Sequence, residues 1–275
     1  MDDQARKEML RKGFNAASAG YDRPALRFFH HSACHHADII DLPPHARVLD
    51  LATGTGALAL ELAKRLPEGE VVGIDLSDGM LAQAQAKAEA LGIRNARFEA
   101  MDMTALSFPD DHFDAITCAF GVFFVEDMAG LLRGAARVLK PGGRLCFSSF
   151  QPDLFHPMAD LFMTRIEQYG IAIPPMTWRR VDDADKVTAL LAEAGLNQPQ
   201  AHLRDVSYSL EHSDHWWEIV WYAGYRGLAA QLAPDALERF KAEHLAEVGA
   251  LADAQGALHL PIGALYGYAI NNHVS

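Results

Sequence analysis

The sequence predicts an α/β fold in which a doubly wound, mostly parallel sheet is covered by helices. Three observations carry that expectation. Short apolar runs alternate with amphipathic helical stretches from Arg47 to about Phe150. A glycine-rich turn, ATGTG at 52–56, joins the first run to the helix after it. Aspartates stand at or just past the ends of three successive runs, at Asp50, Asp75 and Asp102. Strands separated by single helices imply right-handed crossovers, which bury a parallel sheet on both faces.

Taken in order, RVLDL (47–51) is the first strand, and ALALELAKRL (57–66) is a helix stopped by Pro67-Glu68-Gly69. EVVGID (70–75) is the second strand. Met80, Leu81, Ala84, Ala88 and Leu91 then mark a helical face that ends at Gly92. ARFEA (96–100) and FDAITCAF (113–120) are the third and fourth strands. Met128, Leu131, Leu132, Ala135 and Leu139 keep helical spacing up to Pro141-Gly142-Gly143, before the strand RLCFSSF (144–150). The flanks differ. The first forty-five residues read as helical and carry Tyr21, Phe28 and Phe29; residues 153–195 read as mostly helical, broken at Pro174-Pro175. HLRDVSYSL (202–210) reads as a strand, followed by helical stretches at about 213–231 and 234–253 and the strand-like GALHLPIGALYGYAI (256–270). The expected organisation is a helical cover at 1–45, a ligand-binding core at 46–151, and a completion of the sheet at 152–275. The last part carries a helical substrate-cap insertion at about 211–253.

Composition narrows the function. The 275 residues include 24 Lys+Arg and 36 Asp+Glu, a net charge of −12. That balance opposes a duplex nucleic-acid partner, whose binding rests on clustered basic residues, and an anionic membrane surface. Cys34, Cys118 and Cys146 are odd in number, widely spaced and form no CxxC, so they read as reduced thiols. The longest apolar run, Ala115 to Val125, is too short to span a bilayer, and the N-terminus has no apolar signal core. A soluble cytoplasmic enzyme with a small-molecule substrate is expected; nothing in the sequence indicates a homodimer.

A glycine turn between a strand and a helix lets backbone approach a ligand closely, with helix N–H groups facing it. Gly54-Thr55-Gly56-Ala57-Leu58-Ala59 also satisfies the looser G-x-G-x-x-A dinucleotide pattern. Asp50 shifts the balance. A carboxylate at the end of the first strand opposes a pyrophosphate and favours a ligand bearing an ammonium and a sulfonium. Asp75 is placed to accept from both hydroxyls of a ribose, and Asp102 from an adenine amino group with the Met103 N–H beside a ring nitrogen. Three acids at consecutive strand ends lie along one crevice of a doubly wound sheet.

VLDLATGTGALALELA, GIDLSDGML, AMDMTALSFPDDHFDAITCAFGVFFVED and RVLKPGGRL together resemble, in order, the motifs of class I S-adenosylmethionine-dependent methyltransferases. They are most similar to the ubiquinone/menaquinone C-methyltransferase-like branch. The resemblance covers about 45–150 and implies a Rossmann-like, seven-stranded sheet whose last strand is antiparallel, supplied here by 256–270, with 202–210 as the sixth. It implies S-adenosyl-L-methionine as cofactor and methyl transfer to a small, apolar or aromatic acceptor. It places Asp50, Ala52, Gly54 and Gly56 at the methionine end, Asp75 and Leu76 at the ribose, Asp102 and Met103 at adenine, and Ala119-Phe120 beside the sulfonium, with Thr53 and Met80 also among the cofactor-binding residues. Tyr21 resembles the family's N-terminal tyrosine that closes over the cofactor. Ala52 replaces the first glycine of the usual G-x-G-x-G, and Phe120-Gly121 continues Val122-Phe123-Phe124 where the quinone enzymes carry an Arg-Asn pair.

Other clusters admit blander readings. His30, His31, Cys34, His35 and His36 crowd one stretch, but FFHHSACHHADII reads as an amphipathic cover helix, and no metal is expected. Trp216, Trp217, Trp221 and Tyr222 crowd one helix; they fill a core or, with Phe28 and Phe124, line the acceptor pocket. His202, His212 and His215 are conceivable general bases, with no spacing that singles one out, so no catalytic residue is assigned. An NAD(P)-dependent oxidoreductase and a non-catalytic cofactor-binding protein of the same fold are the alternatives.

Overall fold

The computed structural model describes residues 2–271; Met1 and residues 272–275, at the ends of the first and third expected segments, lie outside the described residues. The alternation read from the sequence folds as α1 (Asp3–Ala17), α2 (Phe28–Ile40), β1 (Arg47–Leu51), α3 (Ala57–Arg65), β2 (Glu70–Asp75), α4 (Asp78–Ala90), β3 (Ala96–Ala100) and β4 (Phe113–Ala119). It continues through α5 (Met128–Val138), β5 (Leu139–Phe150), α6 (Met158–Gln168), α7 (Ala184–Glu193), β6 (Asn197–Asp205) and β7 (Tyr208–Leu210). The chain closes with α8 (Ser213–Tyr222), α9 (Arg226–Ala229), α10 (Pro234–Gly249), β8 (Leu258–Leu260) and β9 (Gly263–Ile270).

Seven strands form one sheet in the order β3-β2-β1-β4-β5-β9-β6. β1 to β5 pair in parallel, and β9 runs antiparallel to both β5 and β6. Val48, Leu49, Leu51, Val71, Val72, Ile74 and Ala115 are fully buried because helices cover both faces. Strand order reverses between β1 and β4, so their carboxyl ends flank the crevice where ligands of such sheets bind.

Two expected strands split. In 202–210, Asp205 Oδ1 accepts the Ser207 N–H at 2.9 Å while the Val206 N–H reaches Ile262 O at 3.0 Å. That turn ends β6 and sends β7 into a separate two-stranded sheet with β8. In 256–270, Pro261 divides β8 from β9, since its ring nitrogen cannot donate to a ladder.

α1 docks beside the carboxyl edge of the sheet. Asn15 Oδ1 accepts from Ser77 Oγ at 2.7 Å and from the Gly79 N–H at 2.8 Å, joining α1 to the first turn of α4. On the same helix Lys7, Leu10, Arg11 and Phe14 recur at i, i+3, i+4 and i+7, which puts them on one face. Among the described residues no helix is long and apolar enough to cross a membrane.

Candidate functional site

A cleft opens at the switch point. It is lined by Tyr21, Ala52, Gly54, Asp75, Leu76, Ser77, Met80, Asp102, Met103, Ala119, Phe120, Gly121, Phe124 and Val125, together with Arg6, Lys7, Leu10, Arg11 and Phe14 from α1. The structure therefore gathers ten of the thirteen expected cofactor residues around one space. Asp50, Thr53 and Gly56 stand behind it.

The glycine loop is held in unusual backbone conformations. Gly54 (φ 55°) and Gly56 (φ 80°) are left-handed, as are the non-glycine residues Ala52 (φ 50°) and, at the end of β4, Phe120 (φ 53°). Non-glycine residues adopt that region at a cost of about 1–2 kcal/mol, and such strain gathers at functional sites. A Cβ on Gly54 would meet no protein atom within 4 Å, because it would project into the cleft. One on Gly56 would stand 3.0 Å from Ala84 Cβ and 3.3 Å from the Phe98 ring. Gly56 thus serves helix packing against α4, not ligand approach.

The acids divide by environment. Asp75, the last residue of β2, accepts the Gly54 N–H at 2.9 Å and the Ser77 N–H at 2.8 Å. Burial raises its pKa, and the N–H groups of Ser77, Gly54 and Leu76 partly offset that rise. Among the described residues no basic side chain pairs with it, so an uncompensated acid faces the cleft. Asp102 is the opposite case. Lys7 Nζ lies 2.7 Å from its Oδ2, while the Thr104 N–H and hydroxyl both donate to Oδ1 at 2.8 Å. Burial pushes the Asp102 carboxyl up, but Lys7 and Thr104 outweigh it and hold it below the usual range.

Asp50 corrects the sequence reading. It is 1% exposed and does not line the cleft. Its two oxygens accept the hydroxyls of Thr53 at 2.6 Å and Thr117 at 2.7 Å, and burial pushes its carboxyl up to about 6. Asp50 and Thr53 therefore anchor the loop from beneath, tying it to β4.

Aromatic rings line the far part of the cleft. Tyr21 stacks on Phe29 at 4.7 Å, Phe29 meets Phe120 edge-on at 5.8 Å, and Phe14 meets Phe124 at 5.4 Å. Burial, with Asp75 next, raises the Tyr21 hydroxyl, so it remains a neutral phenol. The turn carrying Phe124 is pinned by two arginines that sequence reasoning missed. Arg180 donates to the carbonyls of Phe123 at 2.6 Å, Val125 at 2.7 Å and Glu126 at 3.0 Å, and Arg6 donates to that of Phe124 at 2.6 Å. Four successive carbonyls are satisfied by two guanidiniums. The 7-10-11-14 periodicity of α1 was a signal for its cleft-facing side; no local signal marks Arg180, which lies more than fifty residues from its acceptors.

The other expected pocket residues fall elsewhere. Phe28 is buried one layer back, edge-on to Phe150 and Phe155. Trp216 is fully buried and donates to His244 Nε2 at 2.7 Å. Trp217, Trp221 and Tyr222 line a separate surface groove with Arg23, Glu218 and Lys241. The reason is geometric: α8 packs on the segment before α2, behind Tyr21, so its rings cannot reach the cleft. Of the α2 histidines, His36 is buried against the Cys146 carbonyl at 3.0 Å and His31 packs edge-on to Tyr208. His202, His212 and His215 do not line the cleft either.

Comparison with known proteins agrees with this geometry. A family model described as a methyltransferase domain matches residues 48–143. The chain is 33% identical over 211 residues to the ubiquinone/menaquinone biosynthesis C-methyltransferase UbiE of Proteus mirabilis, covering 74% of this chain and 82% of that one. It is 53% identical over 106 residues to the demethylmenaquinone methyltransferase of Thermus thermophilus, a match that spans 38% of this chain and about half (48%) of that relative. The YcgJ protein of Bacillus subtilis shares the fold at a TM-score of 0.59 with 22% identity, over 89% of this chain and all of the other. The chain belongs to the class I S-adenosylmethionine-dependent methyltransferases, in the branch of the ubiquinone/menaquinone C-methyltransferases.

Proposed function

We propose that the cleft holds S-adenosyl-L-methionine between Asp75 and Asp102 and methylates a small, flat, apolar acceptor that supplies its own nucleophile. The residues present fit that cofactor: the glycine loop leaves open space at Gly54, and Asp75 is a partly buried acid that has no cationic partner among the described residues. Such a carboxylate favours hydroxyl donors and nearby positive charge and repels a pyrophosphate. The basic residues of the cleft wall, Arg6, Lys7 and Arg11, are each already ion-paired, which weighs against a dinucleotide.

When bound, the cofactor supplies an electrophilic methyl group on a sulfonium. Asp75 would accept from the ribose hydroxyls, Asp102 and the Met103 N–H would hold the adenine, and Ala119-Phe120 would form the floor beside the methyl group. Phe14, Tyr21, Phe120 and Phe124 form a wall that excludes water, orients a flat acceptor and favours a cation through the faces of its rings. Alignment in such a site can supply about 7–11 kcal/mol. The observation that carries the acceptor class is what this wall lacks. Among the described residues no histidine lines the cleft, Tyr21 stays protonated, and on this reading Asp75 and Asp102 are both taken up by the cofactor, so no group is left there to remove a proton from a weak acid. An acceptor that ionises readily, such as a hydroquinone or an enolisable carbonyl, fits. The quinone-pathway names of the relatives support that reading.

The free volume of about 100 Å³ is below the roughly 300–1,000 Å³ typical of small-molecule sites. On this reading α1 swings outward on binding and releases Lys7 from Asp102, and α1 with the 120–125 turn caps the acceptor. The 211–253 segment braces Tyr21 from behind, where the Tyr222 ring lies across Gly20. Methyl transfer from labelled cofactor to a panel of hydroquinones, enolisable aromatics and unactivated alcohols tests the proposal. Turnover confined to the acidic acceptors is expected; equal turnover of the alcohols would overturn it.

A further inference from the structure

Among the described residues, one set of metal-ligating side chains converges outside the cleft. Glu211, His212 and His215 each place one ligand atom within 4.8 Å of the others, and the two imidazole rings lie 4.0 Å apart. We propose that these three residues bind a divalent transition-metal ion, with zinc the reference occupant, and that the ion fastens the start of α8. None of the three lines the cofactor cleft, so the site is separate from the methyltransferase centre.

Two imidazoles and a carboxylate suit zinc, cobalt or nickel; magnesium and calcium call for all-oxygen sets. The side chains are also unspent. His215 Nδ1 is buried with no hydrogen-bond partner, and among the described residues neither the Glu211 carboxylate nor the His212 ring is engaged by a hydrogen bond or ion pair. A buried ring nitrogen without a partner is a standing cost that a metal bond removes. The helix lacks what the ion would provide. His212 is the N-cap residue of α8 and makes no side-chain cap. His215, three residues on, holds the position that a capping box would pair with it. A metal bridging the two performs the same closure. The helix dipole opposes a cation there, and Glu211 with Asp214 in the first turn supplies compensating negative charge.

Bonds of about 2.0–2.2 Å in a tetrahedral shell set neighbouring ligand atoms roughly 3.3 Å apart. The widest pair must therefore close by at most about 1.5 Å, within reach of a rotamer adjustment because Glu211 and His212 are exposed. His215, half-buried, is the fixed anchor, and the fourth position is left to water.

The test is calorimetric titration of Zn2+ into the chelator-treated full-length protein, repeated with Co2+ followed by visible absorption. One equivalent of Zn2+ should bind, raise the melting temperature and resist competition by Mg2+. Both His212→Gln and His215→Gln should weaken Zn2+ binding at least tenfold, whereas a His31→Gln/His35→Gln variant of α2 should bind as the parent does. His212 is exposed, so its variant remains informative if His215→Gln fails to fold. Absence of binding by the parent, parental affinity in His212→Gln, or loss of binding only in the α2 variant would each overturn the proposal.

Discussion

Replacing Asp50 with asparagine separates a loop anchor from a ligand contact. The carboxyl is fully buried and pushed up to about 6 from a usual value near 3.8. A buried acid whose pKa is raised on folding favours the folded state only while protonated. Its contribution is therefore complete below pH 3.8 and is lost as the pH climbs through about 6. At about 1.36 kcal/mol per pH unit, that rise amounts to a cost of about 3 kcal/mol at pH 7. Asparagine keeps the shape, accepts one threonine hydroxyl and donates to the other, and carries no charge to desolvate. The weaker neutral hydrogen bonds return part of the gain. Asp50→Asn should therefore be more stable than the parent by about 1–3 kcal/mol at pH 7.5, with the difference vanishing near pH 4. Urea unfolding at both pH values, followed by circular dichroism, measures this. A variant destabilised by 2 kcal/mol or more at pH 7.5 would refute the reasoning, because the ionised carboxylate would then be a net stabiliser.

Three further outcomes follow from other contacts. Lys7→Met frees Asp102 from a part-exposed ion pair worth about 1 kcal/mol, so S-adenosylhomocysteine should bind up to about fivefold tighter by calorimetry; weaker binding would mean that Lys7 contacts the ligand. Arg180→Ala removes three hydrogen bonds to the turn that carries Phe124. Acceptor turnover should fall at least tenfold with cofactor affinity within threefold, and Arg180→Lys should rescue only partly because an ammonium cannot span three carbonyls. Trp216→Ala should cost about 3–5 kcal/mol in denaturant unfolding, whereas Trp221→Ala, at the surface groove, should cost about 1 kcal/mol.

The sheet was legible because buried parallel strands leave a plain trace: RVLDL, EVVGID and FDAITCAF are apolar runs bounded by glycine, proline and helical periodicity. The crevice acids were legible for the same reason, since strand ends locate it. Orientation was not. In a strand covered on both faces, nothing local says whether Asp50 points to ligand or to threonines beneath the loop; that depends on Thr117, a residue of a neighbouring strand. The docking of α1 and the reach of Arg180 are likewise tertiary, fixed by the bonds of Asn15 to the start of α4 and by carbonyls far along the chain. The aromatic load of α8 misled because ring content records burial, and Trp216 is buried against His244 rather than against a ligand.

Calorimetric titration of S-adenosylhomocysteine and of NADH into the parent protein and Asp75→Ala tests the central claim, that this cleft binds the methyl donor through the acid at the end of β2. Charge-assisted hydrogen bonds contribute about 1.5–3 kcal/mol each. The account predicts that the parent binds S-adenosylhomocysteine and not NADH, and that Asp75→Ala, still folded, binds it at least tenfold more weakly. Unchanged affinity in Asp75→Ala, or binding of NADH in preference, would contradict it.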